Sequence, residues 1–275
     1  MIAVSRDTLR EVTGVVALAG AGRMGGAMLK GWLAGGLDAK GVVVIEPAPS
    51  QEITALAATG IRLNPKGLGA VETLVIAVKP QSFREAGAAL KSLVAPSTLV
   101  VSILAGTTIK SLQQVCGGAV LRAMPNTPAA IGRGITVAVA AQNVSAAQRA
   151  TADALLRATG SVEWVEDEGL MDAVTAVSGS GPAYLFLLAE ELARAGVAAG
   201  LPEALATKLA RETVAGSGEL LHRSDLSSAM LRQNVTSPGG TTAAALEVLM
   251  GKDGLRQLMI RAIAAATARS KELAK

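Results

Sequence analysis

The stretch that most limits how this chain can fold is a glycine-spaced turn, Gly20-Ala21-Gly22-Arg23-Met24-Gly25. It sits directly behind an apolar run rich in small and β-branched residues and directly ahead of a helical pattern. Gly20 permits the tight turn, Gly22 lets a pyrophosphate approach the backbone, and Gly25 lets helix and strand pack closely. The helix start offers unbonded N–H groups and the positive end of its dipole, which together suit phosphates. A glycine pattern by itself is often only a turn. The strand–turn–helix setting makes Gly20, Gly22, Arg23, Met24 and Gly25 candidates to hold a dinucleotide.

The flanking pattern extends that setting. Runs dense in Val and Ile at 14–19, 42–46, 74–78, 99–104, 119–123, 135–140 and 161–165 predict strands. They mostly lack polar alternation, as strands buried on both faces do. Between them, 24–33, 51–59, 83–93, 109–115 and 146–158 read as helices, several opening after a capping residue: Ser50, Ser82, Thr107 or Thr108, and Ser145. Alternation of this kind predicts a parallel-rich sheet covered on both sides. After about Glu166 no Val/Ile-rich strand recurs. The segments 170–177, 182–199, 202–221, 226–232, 242–250 and 255–274 all read as helix, with Pro182 and Pro202 suited to first turns and Gly200 and Gly251 to helix ends. The expected fold is an α/β, Rossmann-type amino-terminal domain (1–165) followed by an all-α carboxyl-terminal domain (166–275).

Composition narrows the function. Aromatic residues are 2% of the chain against 50% hydrophobic overall, so the core is aliphatic and little remains for stacking on bases. The formal charge of +4 is mild and dispersed, so no nucleic-acid partner is expected. No apolar run reaches membrane-spanning length uninterrupted, and residues 1–13 lack a signal-type apolar stretch. The single cysteine, Cys116, cannot form an internal disulfide, and a cytoplasmic setting is expected. One His and one Cys cannot build a typical transition-metal site, so no metal is expected.

Glu46 closes the second strand about twenty residues beyond the glycines, where a dinucleotide fold places its ribose-binding acid. A carboxylate there accepts from ribose hydroxyls and repels a 2′-phosphate. No Lys or Arg follows until Arg62, although Arg23 could compensate from the glycine loop. Both NADH and NADPH stay open on these residues, with Glu46 leaning toward NADH. The plainer reading of Glu46 is a solvated strand end.

Four further segments complete the pattern: Ala77-Val78-Lys79-Pro80, Arg122-Ala123-Met124-Pro125-Asn126-Thr127-Pro128, Ser178-Gly179-Ser180-Gly181-Pro182-Ala183-Tyr184, and Asn234-Val235-Thr236-Ser237-Pro238-Gly239-Gly240-Thr241-Thr242. Pro80 holds Lys79 out of helical geometry and fixes how the third strand ends. Lys79 is then either a solvated terminus or a residue lining a ligand. Asn126, in a loop stiffened by two prolines, carries donor and acceptor and either caps its own turn or meets a ligand. Gly239 and Gly240 are expected to expose N–H groups, with Thr241 or Thr242 capping the following helix; such converging donors suit a carboxylate. A simple helix cap is the alternative.

With the glycine loop, these segments in this order resemble the pyrroline-5-carboxylate reductases over nearly the whole chain, residues 1–13 aside. The resemblance implies reduction of 1-pyrroline-5-carboxylate to L-proline by hydride transfer from NADPH or NADH, the last step of proline biosynthesis. It implies that Ala77, Lys79, Pro80, Asn126 and Asn64 line the cofactor. It assigns Ser237, Gly239, Gly240, Thr241 and Thr242 to the substrate, with Thr242 bonding the imine nitrogen as the catalytic contact, and it places an acidic residue near Asp225. It further implies a homodimer through 182–221, assembled into rings of dimers such as a decamer. Tyr184 reads as packing and His222 as a surface helix end. Two other readings are a 3-hydroxy-acid dehydrogenase, which would need a lysine that 179–193 lacks, and a non-catalytic dinucleotide sensor.

Overall fold

The Val- and Ile-rich runs become strands because they can hide both faces. The computed structural model describes residues 9–273, the side chain of Arg84 excepted. Its first part runs β1 (Val16–Ala19), α1 (Arg23–Ala34), β2 (Val42–Ile45), α2 (Gln51–Leu56), β3 (Arg62–Leu63), β4 (Thr73–Ile76), α3 (Pro80–Lys91), β5 (Leu99–Ser102), α4 (Ile109–Val115), β6 (Ala119–Met124), β7 (Gly134–Ala140), α5 (Ala146–Arg157) and β8 (Gly160–Trp164). The strands form one sheet in the order β3-β2-β1-β4-β5-β6-β7-β8. All neighbours are parallel except β6 and β7.

Side-chain alternation splits the sheet between two cores. Val16 and Leu18 of β1 join Met28, Leu29 and Trp32 of α1 and Leu155 and Leu156 of α5. Ala17 and Ala19 face the other way, with Phe83 and Leu90 of α3 and Leu112 of α4. Trp32 is fully buried and its indole Nε1–H donates to the Leu155 carbonyl at 2.8 Å, so its one polar atom is satisfied.

The local signals act mostly as read. Ser50, Thr108 and Ser145 each accept a first-turn N–H, and Gln148 completes a capping box with Ser145. Ser82 does not cap. Lys79, extended at φ −67° and ψ 141°, is the N-cap of α3, and Pro80 begins the helix three residues earlier than expected. Pro202 likewise stands at an N-cap, just ahead of its helix. The edge strand β3 went unpredicted.

Beyond β8 come α6 (Met171–Val174), a π-helical stretch Thr175–Gly179, α7 (Gly181–Ala198), α8 (Glu203–Arg223), α9 (Ser228–Asn234), α10 (Thr241–Leu249) and α11 (Leu255–Leu273). Contacts divide the chain into Ser180–Ala266 and a second unit made of the residues through Gly179 with the end of α11. The strands stop near Glu166, but the contacts do not. Glu168 accepts from the Arg122 Nη1–H at 3.1 Å and from the Ile109 N–H at 2.8 Å. Met171 is buried against Val137 and Val139. The segment after the last strand is therefore part of the sheet-bearing unit.

Within Ser180–Ala266, α7 and α8 pair closely. A Cβ added at Gly196 would stand 3.1 Å from the Cβ of Ala206, so small residues let the helices approach. No helix among the described residues is long and apolar enough to cross a membrane.

Candidate active site

The sheet reverses its winding between β1 and β4, where the next element in sequence goes to opposite sides. In such sheets ligands lie in the crevice at the carboxyl ends of the strands. The glycine loop follows β1, Glu46 follows β2, Ala77 to Pro80 follows β4, and Asn126 follows β6. The structure thus brings the sequence-predicted cofactor residues to one edge of one unit. The 104–108 loop after β5 leaves the same edge, and its sequence signal is Gly106, four residues past a buried strand, at φ +70°.

The loop's glycines do different jobs. Gly20 has φ +93°, and a Cβ there would meet the Ala77 carbonyl oxygen at 2.6 Å. A Cβ on Gly25 would run into the Gly20 carbonyl, so α1 touches the end of β1 at that point. At Gly22 a Cβ would meet nothing within 4 Å. Packing does not require that glycine, which fits a position kept bare for a ligand. Gly22 is also the N-cap of α1, with no side-chain cap and no acid in the first turn. The first-turn N–H groups of Arg23, Met24 and Gly25 have no carbonyl behind them to bond, as a phosphate site needs. Arg23 itself is exposed.

Glu46 is held rather than loose. Its Oε2 accepts from the Ala21 N–H at 2.8 Å, and its Oε1 accepts from the Ala48 N–H at 3.2 Å. Asn64 clamps the Glu46 backbone with one acceptor site and one N–H of its carboxamide, both bonds at 2.9 Å. Lys79 and Pro80 are exposed at the same edge, and Ala77 is half-buried. Asn126 does not cap its own turn: its Oδ1 accepts from the Ile135 N–H at 2.9 Å. That bond fixes the carboxamide across the neck of the Thr127–Ile131 turn.

The other candidate loop lies in the helical unit. The Gly240 N–H donates to the Ser237 carbonyl at 3.0 Å, and Gly239 has φ +69°. With Pro238 second and Gly239 third, residues 237–240 form a type II turn. Two expectations change here. Neither Thr241 nor Thr242 caps α10; Gly240 does, with no side-chain cap, and Thr241 is already helical. The Gly240 N–H is committed inside the turn, so the donors left for a ligand are those of Gly239, Thr241 and Thr242 with the threonine hydroxyls. Ser237 is exposed beside them. Asp225 is exposed between α8 and α9, Tyr184 is half-buried on α7, and His222 lies in the last turn of α8.

Other chemistries find little here. Burial pushes the Cys116 thiol up to about 11, so it stays protonated at neutral pH and is no nucleophile. No group of three His, Cys, Asp or Glu side chains is placed to hold a metal among the described residues.

Residues 168–273 match the pyrroline-5-carboxylate reductase dimerisation family, and residues 15–106 match the NADP oxidoreductase, coenzyme F420-dependent, family. A pyrroline-5-carboxylate reductase of Synechocystis is 44% identical over 85% of this chain and 88% of its own. One from Pseudomonas aeruginosa is 38% identical over 94% and 97%. The solved structure of the Coxiella burnetii reductase superposes with a TM-score of 0.88 at 34% identity, covering 96% of this chain and all of that one. The Plasmodium falciparum pyrroline carboxylate reductase, solved with NADP bound, superposes at 0.77 with 28% identity, covering 96% and 99%. On these matches, which span both the sheet-bearing and the helical parts, the chain belongs to the pyrroline-5-carboxylate reductase family.

Proposed function

We propose that this protein reduces 1-pyrroline-5-carboxylate to L-proline with a hydride from a reduced nicotinamide dinucleotide, the last step of proline biosynthesis. The observation that carries the reading is the shared strand edge, where uncapped N–H groups of α1, a tethered carboxylate and Asn126 all stand at the carboxyl ends of parallel strands that include the β1–β4 crevice. The uncapped start of α10 supplies a second set of donors, suited to a small carboxylate.

When bound, the dinucleotide supplies the hydride from C4 of its nicotinamide. Gly20, Gly22, Arg23, Met24 and Gly25 hold its pyrophosphate, and Ala77, Lys79, Pro80 and Asn126 line its path. Glu46 receives the adenosine ribose and favours NADH over NADPH, because its carboxylate repels a 2′-phosphate. Ser237, with the N–H groups of Gly239 and Thr241, takes the substrate carboxylate, and Thr242 holds the ring nitrogen by hydrogen bond. A protonated imine is already electrophilic, so the residues need only hold it in register, and positioning does most of the work. That fits a substrate loop offering hydroxyls and amides but no strong acid.

The functional division we assign is a cofactor domain, 1–165, and a substrate-binding and dimerisation domain, 166–275. Exposed Leu185, Phe186, Leu187 and Leu188 on α7 support a homodimer through 182–221, with assembly into decameric rings as a further step. The site of action is the cytoplasm.

Oxidation of NADH and NADPH, measured with and without pyrroline-5-carboxylate, tests this. The wild type consumes cofactor only with substrate present. Thr242→Ala lowers kcat by about tenfold or more, the loss of a contact made in the transition state. Its cofactor Kd, read by nicotinamide fluorescence, stays where it was. Full turnover in Thr242→Ala removes that residue from its role. Tight cofactor binding by a wild type without turnover would identify a dinucleotide sensor instead.

A further inference from the structure

We propose that Asn64 is a positioning residue for cofactor choice, acting through Glu46. The inference rests on the reading of Glu46 as the acid that receives the adenosine ribose. The β1–β2 ladder ends at Ala19 and Ile45, so Glu46 lies one residue past its last sheet partner. The backbone there would be loose if nothing else held it. Asn64 holds it. Its Oδ1 accepts from the Glu46 N–H and its Nδ2 donates to the Glu46 carbonyl, each at 2.9 Å. A single carboxamide thereby fixes the peptide on both sides of the acid.

The geometry of Asn64 is built for this return contact. Its φ is +47°, the one left-handed non-glycine among the described residues. Asparagine tolerates that region better than most residues because its short side chain bonds locally. Its own N–H donates to the Val44 carbonyl at 2.8 Å, anchoring Asn64 on the strand it serves. At the other end, the Glu46 carboxylate is tied to Ala21 in the glycine loop and to Ala48. A carboxylate has roughly four acceptor sites, so with two used it retains two for the ribose diol. The acid is therefore fixed at backbone and head. Removing the backbone clamp should cost most with the cofactor whose ribose hydroxyls it meets.

A double-mutant cycle read separately with NADH and NADPH tests this. Asn64→Gly keeps the left-handed backbone at little strain and deletes the carboxamide. The KM for NADH rises about fivefold, while that for NADPH moves by less than about twofold, and the loss falls on KM rather than kcat. In the Glu46→Ala background the same substitution changes the NADH KM by less than about twofold, because no carboxylate remains to be positioned. Circular dichroism establishes that each variant is folded, and Kd by NADH fluorescence gives the same comparison without turnover.

Additive effects of the two substitutions, or equal rises for both cofactors, overturn the inference and point to a direct or merely structural role for Asn64. A wild type with the lower KM for NADPH, together with a Glu46→Ala variant unchanged toward NADH, overturns the reading of Glu46 itself. The two failures are thus separable.

Discussion

The two compact units treat their apolar residues in opposite ways. In the sheet-bearing unit Trp32, Leu18, Leu29, Leu74, Ile76 and Leu155 are all fully buried. Within Ser180–Ala266 the buried hydrophobic residues are Ala206 and Ala210 alone, while Phe186 is 69% exposed and Val248 77%. The difference follows from what each architecture can cover. A sheet with helices on both faces closes its own cores. A helix pair hides only a stripe on each member. Residues 183–189 of α7 are seven consecutive apolar residues, which at 3.6 residues per turn wrap around the whole helix. A helix apolar all round belongs inside something larger. The first unit covers its own apolar residues; the second leaves a large apolar surface uncovered and matches a dimerisation family.

The sharpest way to break this contrast is to damage each core on its own terms. Trp32→Ala removes the largest fully buried side chain and strands the Leu155 carbonyl. It should cost about 3–5 kcal/mol, read as a fall in the urea midpoint of the sheet-bearing unit. A cost below about 1 kcal/mol would mean that this core is not self-sufficient. Phe186→Glu should leave that midpoint in place and weaken the dimer by about 2 kcal/mol, near thirtyfold in Kd, on the scale of a buried aromatic anchor. Light scattering across a dilution series reads it, and activity should fall with the dimer. A Phe186→Glu protein that stays dimeric at low concentration would show that the exposed face of α7 serves some other end.

How much of this was legible in advance depends on where the determining contact lies. The seven long strands were readable because burial on both faces leaves runs such as Val42-Val43-Val44-Ile45 with no polar residue to hide. The glycine loop was readable because its spacing is set by local backbone geometry. β3 was not, since two residues held by one neighbour carry no periodicity. Ser82 misled because a capping residue inside the first turn looks like a cap, whereas Pro80 already fixes the helix start. The turn at 237–240 carried its own signal, Pro then Gly, which predicts a type II turn and hence a committed Gly240 N–H. The clamp between Asn64 and Glu46 and the bond of Glu168 to Arg122 were invisible, because each joins residues far apart in sequence.

The last helix gives the finest test of the contrast, because the two units divide it. In α11, Leu255, Leu258 and Ile260 are exposed like the rest of the helical unit, while residues 267–273 pack with the sheet-bearing unit. There Ser270 is buried and its Oγ–H donates to Asp172 Oδ1 at 2.6 Å, and Leu273 lies against Gly106. One continuous helix thus passes from an uncovered environment to a covered one. Ser270→Ala deletes a single hydrogen bond whose acceptor is only half-buried and can turn to water, so it should cost about 1 kcal/mol. The loss should appear as a small drop in the Tm of the sheet-bearing unit, with the dimer Kd unmoved. If Ser270→Ala instead dissociated the dimer while sparing that Tm, the end of α11 would belong with the interface, and the boundary at Thr267 would have to be redrawn.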